Sequence, residues 1–286
     1  MAVYKRGYQR YQGPLTTHWQ RMLVLPRFAW QRLFQQRLVL ILLMASLIWP
    51  LLCAGLVYLS NRLDLLPSLP GDIKNMVDIN GKFFLTFMNV QSVFAVLLAA
   101  LTGPGLIAPD LSNNALPLYF SRPLTRLDYV AARMVTLVGL LSLITWVPGL
   151  LLFSMQSGMA GGGWMVRNWY LGTGVVCGFV SWIAVVSLVA LACSAYVKWR
   201  IVAGGLVLGF FFLLAGVAQM VNAVLRVDWG TLLNPERSMF IIWSSMLGVQ
   251  PPPGPGVRAC VTMLVALAVL LGLILERKLR PVEVIS

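Results

Sequence analysis

The sequence predicts an all-α membrane protein with six transmembrane helices and both termini on the same side. Three observations carry that expectation: a membrane-like composition, six apolar runs of spanning length, and basic residues gathered in alternate connections. Hydrophobic residues make up 59% of the 286 and charged ones only 11%, against roughly 45–50% and about 25% in soluble domains. Mean hydropathy is +0.81. In a soluble chain the net charge of +13 would point to nucleic acid or an acidic partner. In a membrane chain it reads instead as basic residues held on one side of the bilayer.

Residues 1–37 precede any apolar run and carry Lys5, Arg6, Arg10, Arg21, Arg27, Arg32 and Arg37. A secretory signal would start its apolar core earlier and end in small residues. Trp19, Leu23, Trp30, Leu33 and Phe34 recur at spacings compatible with one helical face, which suits an amphipathic helix in the headgroup region. A disordered basic arm is the alternative. Pro26 is expected to kink or divide the helix. The single histidine, His18, reads as an interfacial polar residue.

Six runs then reach the roughly 20 residues a crossing requires: Leu38–Ser60, Phe83–Ala108, Met134–Met155, Leu171–Tyr196, Ile201–Val224 and Val257–Leu275. Together they make a transmembrane domain over residues 38–275, followed by a tail at 276–286. In the second run Gly103-Pro104-Gly105 should kink or unwind the last turns. The first connection, 61–82, is short and turn-rich. Gly161-Gly162-Gly163 makes a flexible turn, with Trp164, Trp169 and Tyr170 suited to the aromatic belt. Cys53, Cys177, Cys193 and Cys260 lie in or beside apolar runs without CxxC spacing and read as buried thiols.

Two connections stand out. Residues 109–133 form a polar, Pro-bearing insert, with Pro109 and Pro117 expected to break what precedes. Thr125 stands three residues before Asp128, a capping-box start for a new helix. Residues 225–256 hold a second helix start at Asn234-Pro235-Glu236, with Asn as cap and Pro at the first helical position. The apolar piece Met239–Val249 is too short to span, so it re-enters the membrane or lies on it. The PPPGPG run, Pro251–Gly256, should form a stiff extended link.

Basic residues set the orientation. Fifteen of the 22 Lys and Arg fall on the side of the N-terminus and seven on the other; with acids included the balance is +11 against +2. The positive-inside rule places both termini in the cytoplasm.

Absent chemistry narrows the function. No Asp, Glu or His lies within the six runs away from their ends, where ion-coupled transporters place them. Gly81-Lys82 is followed by Phe83, so no P-loop is present, and neither H-E-x-x-H nor G-x-S-x-G occurs. No catalytic residue, metal ligand or cofactor site is assigned to this chain. What remains is a helical bundle with a basic cytoplasmic face and no motor of its own.

The segment from Asp110 to Tyr129 resembles the loop between the second and third transmembrane helices of type-2 ABC transporter permeases. Asp110 takes the family's acidic position, Ser121-Arg122-Pro123 its S-R-P, Arg126 the following basic residue and Tyr129 the aromatic. Asn113-Asn114-Ala115 stands where a Ser-Gly-Thr-like turn is usual, and Pro117 where an acid is common; Asn tolerates left-handed backbone, so the turn can survive. The resemblance implies a coupling helix docked on a cytoplasmic nucleotide-binding ATPase, with Leu118 and Tyr119 in its apolar stretch and ATP and Mg held by that partner. It also implies an elbow helix before the first span, an external helical gate before the last, a second permease copy, export, and a bacterial inner membrane. Further periplasmic or membrane subunits are compatible with it.

Competing readings stay open at this stage. Arg122 and Arg126 also fit plain positive-inside topology. The small pairs Gly174/Gly178 and Gly205/Gly209 suit close helix packing, within one subunit or at a dimer seam. Phe210-Phe211-Phe212 reads as lipid contact more readily than as a substrate path. A non-transporting membrane scaffold or an intramembrane lipid-modifying enzyme would share the architecture.

Overall fold

A computed structural model describes residues 17–62, 78–113, 125–197 and 199–278. Among these there is no strand, and six helical stretches are long and apolar enough to cross a membrane. They run Arg37–Asn61, Gly81–Ser112, Leu127–Met159, Trp169–Tyr196, Arg200–Leu225 and Val257–Lys278. All six expected spans are present.

The helices in chain order are α1 (His18–Phe34), α2 (Arg37–Asn61), α3 (Gly81–Thr102), α4 (Pro104–Ser112), α5 (Arg126–Ser142), α6 (Trp146–Met159), α7 (Trp164–Arg167), α8 (Trp169–Tyr196), α9 (Arg200–Leu225), α10 (Pro235–Met246) and α11 (Val257–Lys278). A 3-10 turn, Trp229–Leu233, precedes α10. Successive spans alternate in direction. At one end of the bundle Arg200, at the start of α9, bonds Gln36, just before α2. At the other, Asn61 at the end of α2 donates to Gln156 near the end of α6 at 2.6 Å.

The core forms around α8, which packs against α3, α4, α5, α6, α9, α10 and α11. Its spanning window is 67% buried, against 22% for α2, α9 and α11. The difference follows from sequence. In α8, Gly172, Gly174 and Gly178 let neighbours close in, and Phe179 and Trp182 fill the space they create. In α2 only one stripe, Val39, Ser46, Pro50, Cys53 and Val57, is buried. Its remaining apolar surface faces outward, the arrangement a lipid solvent tolerates.

Two spans are interrupted, each for a covalent reason. Gly103-Pro104 separates α3 from α4, as the sequence suggests. The third span breaks at Leu143–Thr145 between α5 and α6, where the sequence reading has a continuous helix. Pro148 accounts for it, since its ring crowds the carbonyl four residues back and it donates no hydrogen bond. Thr145 closes the gap by donating its hydroxyl to the Leu141 carbonyl at 2.7 Å.

Four other expectations need correction. Pro26 does not divide α1, which passes through it as one helix. The side of α1 turned to the bundle is Met22, Pro26, Ala29 and Leu33, whereas Leu23 and Phe34 are exposed. Leu23, Val24, Phe28 and Phe34 instead form a second, exposed apolar surface. Cys177 is exposed on the outside of α8, while Cys53 and Cys260 are buried and Cys193 is intermediate. Finally, the proline run before α11 bends at 253–255, with Gly254 at φ +152°, and is not a straight extended link.

The segment after α9 follows its local signals closely. Arg226, in a left-handed conformation at φ 50°, ends α9. Asn234 then caps α10, its side-chain oxygen accepting from the Glu236 and Arg237 amides at 3.0 and 3.1 Å. This short helix is built into the bundle, with Trp243 against Gly178 and Trp182, and Leu247 against Gly174 and Gly81. The turn after α6 uses Gly161 and Gly163 at φ +83° and +99°, a backbone that side chains with a Cβ rarely adopt.

Candidate functional site

The base of the insert between the second and third spans is a built structure. Thr125, itself in extended backbone, precedes α5, and its hydroxyl accepts the Asp128 amide at 3.2 Å. Asp128 in turn accepts the Thr125 amide at 2.8 Å. This reciprocal capping box fixes the helix start at Arg126. The acidic Asp128 in the first turn also complements the helix dipole.

With that start fixed, Tyr129 and Arg133 lie one turn apart on the same face. Opposite them stands Asp110, in the last turn of α4. The Tyr129 hydroxyl donates to Asp110 Oδ2 at 2.7 Å, and the Arg133 guanidinium donates to the same oxygen. The guanidinium carbon also lies 5.1 Å from the centre of the Tyr129 ring. Side-chain exposure is 9% for Arg133 and 17% for Asp110. Charges this sheltered persist only when paired and hydrogen-bonded, and here a charge-assisted bond, a phenol and an aromatic face converge on one ion pair.

Asp110 is held in place from behind. A Cβ on Gly103 would lie 2.7 Å from the Ala190 Cβ and 2.8 Å from the Ala99 carbonyl, so only glycine permits this approach to α8. Ser194 of α8 inserts into α4: its hydroxyl accepts the Ala108 amide at 3.0 Å and donates to the Pro104 carbonyl at 3.2 Å. The hydroxyl thus bridges two backbone groups one turn apart and pins α4 to α8. The helix α4 continues through Pro109, which the sequence reading takes as a break.

The same end of the bundle receives α1. Trp30 donates its indole N–H to the Thr136 carbonyl at 2.9 Å, and its ring fills the place where Gly139 has no side chain. On another side of α1 opens a cavity of about 260 Å3, bordered by Phe28, Arg32, Gln36, Asp110, Arg133 and Arg200 among others.

Of the residues singled out in the sequence, the structure brings Asp110 and Tyr129 together. Asn113 sits at the end of α4 with φ −94°, so the left-handed turn considered for Asn113-Asn114-Ala115 does not begin there; its amide donates to the Pro109 carbonyl at 3.0 Å. Asn114, Leu118, Tyr119, Ser121, Arg122 and Pro123, and the Arg126 side chain, lie outside the described residues. The insert is also shorter than 109–133, since 109–112 belong to α4 and 126–133 to α5. Arg133, read from sequence as part of that polar insert, is the member of this cluster most clearly missed. Its signal was available: a basic residue one turn after Tyr129, within reach of the only acid at the end of the second span.

Among the described residues no cluster of His, Cys, Asp and Glu could hold a metal ion. The Asp110 contacts tie the end of α4 to the start of α5, on either side of residues 114–124. A scan against protein-family models matches none, and no curated protein matches the chain significantly.

Proposed function

We propose that the chain is the transmembrane subunit of an ATP-driven exporter of the type-2 ABC kind, coupled to a separate cytoplasmic ATPase through the connection between its second and third spans. The observation that carries this reading is the clamp of Asp110 on Tyr129 and Arg133. A loop that relays a partner's motion must be anchored at its root, and this root is anchored on both sides. The S-R-P sequence Ser121-Arg122-Pro123 lies within the connection so held.

In this reading both termini are cytoplasmic, following the basic residues. The helix α1 is an elbow at the headgroup level, one side on the bundle and the other, with Leu23 and Phe28, in lipid. The helix α10 is the re-entrant element on the opposite side, closing over α8. A second copy of the chain completes the pathway, and ATP-driven approach of two ATPases rocks the paired bundles between inward- and outward-facing states. The membrane is a bacterial inner membrane.

Charge reversal at Arg122 and Arg126 tests the coupling. In protein that inserts normally, each change is expected to lower partner-stimulated ATP turnover by at least about tenfold, the scale of losing a charged contact at an interface. Turnover that survives both changes would remove the docking role.

A further inference from the structure

The cavity beside α1 has a composition the coupling role does not use. Its outer edge carries Arg32 and Arg200; its walls include Leu25, Phe28 and Leu106. The one carboxylate on its lining, Asp110, is already bonded to Arg133. Arg32 is exposed and has no acidic partner among the described residues. Arg200 lies against Gly105 and uses a single terminal nitrogen for its two bonds, to Gln36 and to the Leu101 carbonyl at 3.2 Å. Its Nε and other terminal nitrogen find no protein acceptor among the described residues. Phe28, one turn before Arg32 on the same helix, is 65% exposed.

Two guanidinium groups with spare donors, above an apolar wall at the end of a membrane bundle, match one kind of molecule. We propose that this cleft binds an anionic phospholipid, its headgroup phosphate taken by Arg32 and Arg200 and its acyl chains laid along Leu25, Phe28 and Leu106. Arginine suits the task because its planar fork meets phosphate oxygens in pairs. Basic pockets between membrane helices at the cytoplasmic level are a known form of lipid recognition. The bound lipid bridges α1 to the α4 and α9 ends, fastening the helix to the bundle on the side away from Trp30. The site requires the membrane helices alone, and it stands whether or not an ATPase partner exists.

Native mass spectrometry of the full chain in neutral detergent provides the test, with dioleoyl phosphatidylglycerol and dioleoyl phosphatidylcholine added separately. Phosphatidylglycerol should give a one-to-one adduct at concentrations where phosphatidylcholine gives little. Arg32→Gln should reduce that adduct about tenfold, the scale of one lost bond to a charged group, and Arg32→Gln with Arg200→Gln should abolish it. Arg258→Gln, exposed at the far end of α11, should leave it unchanged. The exposed Arg32 side chain makes no hydrogen bond or ion pair among the described residues, so its single variant reads binding without a folding defect. Equal adducts with both lipids, or an undiminished adduct in Arg32→Gln, would overturn the proposal. Displacement of phosphatidylglycerol by millimolar inorganic phosphate would assign the site to free phosphate and overturn the lipid reading.

Discussion

The Tyr129 hydroxyl at the start of the third span donates to the Asp110 carboxylate at the end of the second, at 2.7 Å. The same carboxylate oxygen takes Arg133, so one acid joins two spans across the connection that separates them. Removing either charge leaves the other sheltered and unpaired. Asp110→Ala and Arg133→Ala should each destabilise the chain by roughly 3–5 kcal/mol, read as a fall in thermal midpoint in detergent. Tyr129→Phe should cost about 1.5–3 kcal/mol, the worth of one bond to a charged acceptor. The double change Asp110→Leu with Arg133→Met should cost clearly less than the sum of the single losses, because no buried charge is left behind. Strict additivity would mean the pair is not coupled.

The contact of Trp30 with Gly139 can be broken from either side. A Cβ on Gly139 would lie 2.3 Å from the Trp30 ring, so Gly139→Leu cannot coexist with the docked indole. The cost should be about 1–3 kcal/mol, concentrated in α1. Trypsin cleavage at the exposed Arg27 and Arg32 should accelerate, while the six spans keep their thermal midpoint. Trp30→Ala should have the same phenotype, and unchanged cleavage in both would show that α1 is held elsewhere.

The glycine pairs separate into two kinds. Gly178 is closed in, with Trp243 Cδ1 2.8 Å from where a Cβ would stand, whereas Gly205 and Gly209 open onto empty space. Gly178→Val should displace α10 and cost about 1–3 kcal/mol, visible as altered Trp243 fluorescence. Gly205→Ala should instead be neutral or stabilising by up to about 1 kcal/mol, since it removes helix-interior glycine without a clash. A large loss in Gly205→Ala would reveal a partner seated on that face.

Glu236, in the first turn of α10, responds to pH. Burial raises its carboxyl pKa above the ordinary value. The folded chain therefore binds this proton more tightly than the unfolded chain. The resulting penalty is present at neutral pH and relieved as pH falls through the raised pKa. Glu236→Gln should stabilise the chain at pH 7 and make no difference at pH 4. A difference between wild type and variant that stays constant over that range would contradict the assignment.

Much of this architecture is visible in sequence because its causes are local. Thr125 with Asp128, and Asn234 with Pro235, announce two helix starts through side chains that cap their own backbone. The spans declare themselves by length and hydropathy. What stays hidden depends on partners far along the chain. Arg133 resembles the edge of a polar loop until Asp110 pairs with it, inside a helix that begins eight residues earlier than hydropathy alone indicates. Pro109 resembles a stop, yet α4 runs on through it, pinned to another span by the Ser194 hydroxyl. The outward apolar surface of α1, with Leu23 and Phe28, merges with its inward one, with Met22 and Leu33, when only the sequence is read. The break before Pro148 has a local cause, the proline itself, which is visible in sequence.

The claim that this chain works as a motor-driven permease is tested most directly by what it holds in its native membrane. The chain would be tagged, extracted gently, and the co-purifying proteins identified and quantified. The account predicts a P-loop ATPase at one copy per permease subunit, with hydrolysis that falls when Arg122 or Arg126 is reversed in charge. Purification without any ATPase, under conditions that keep other membrane complexes intact, would contradict it.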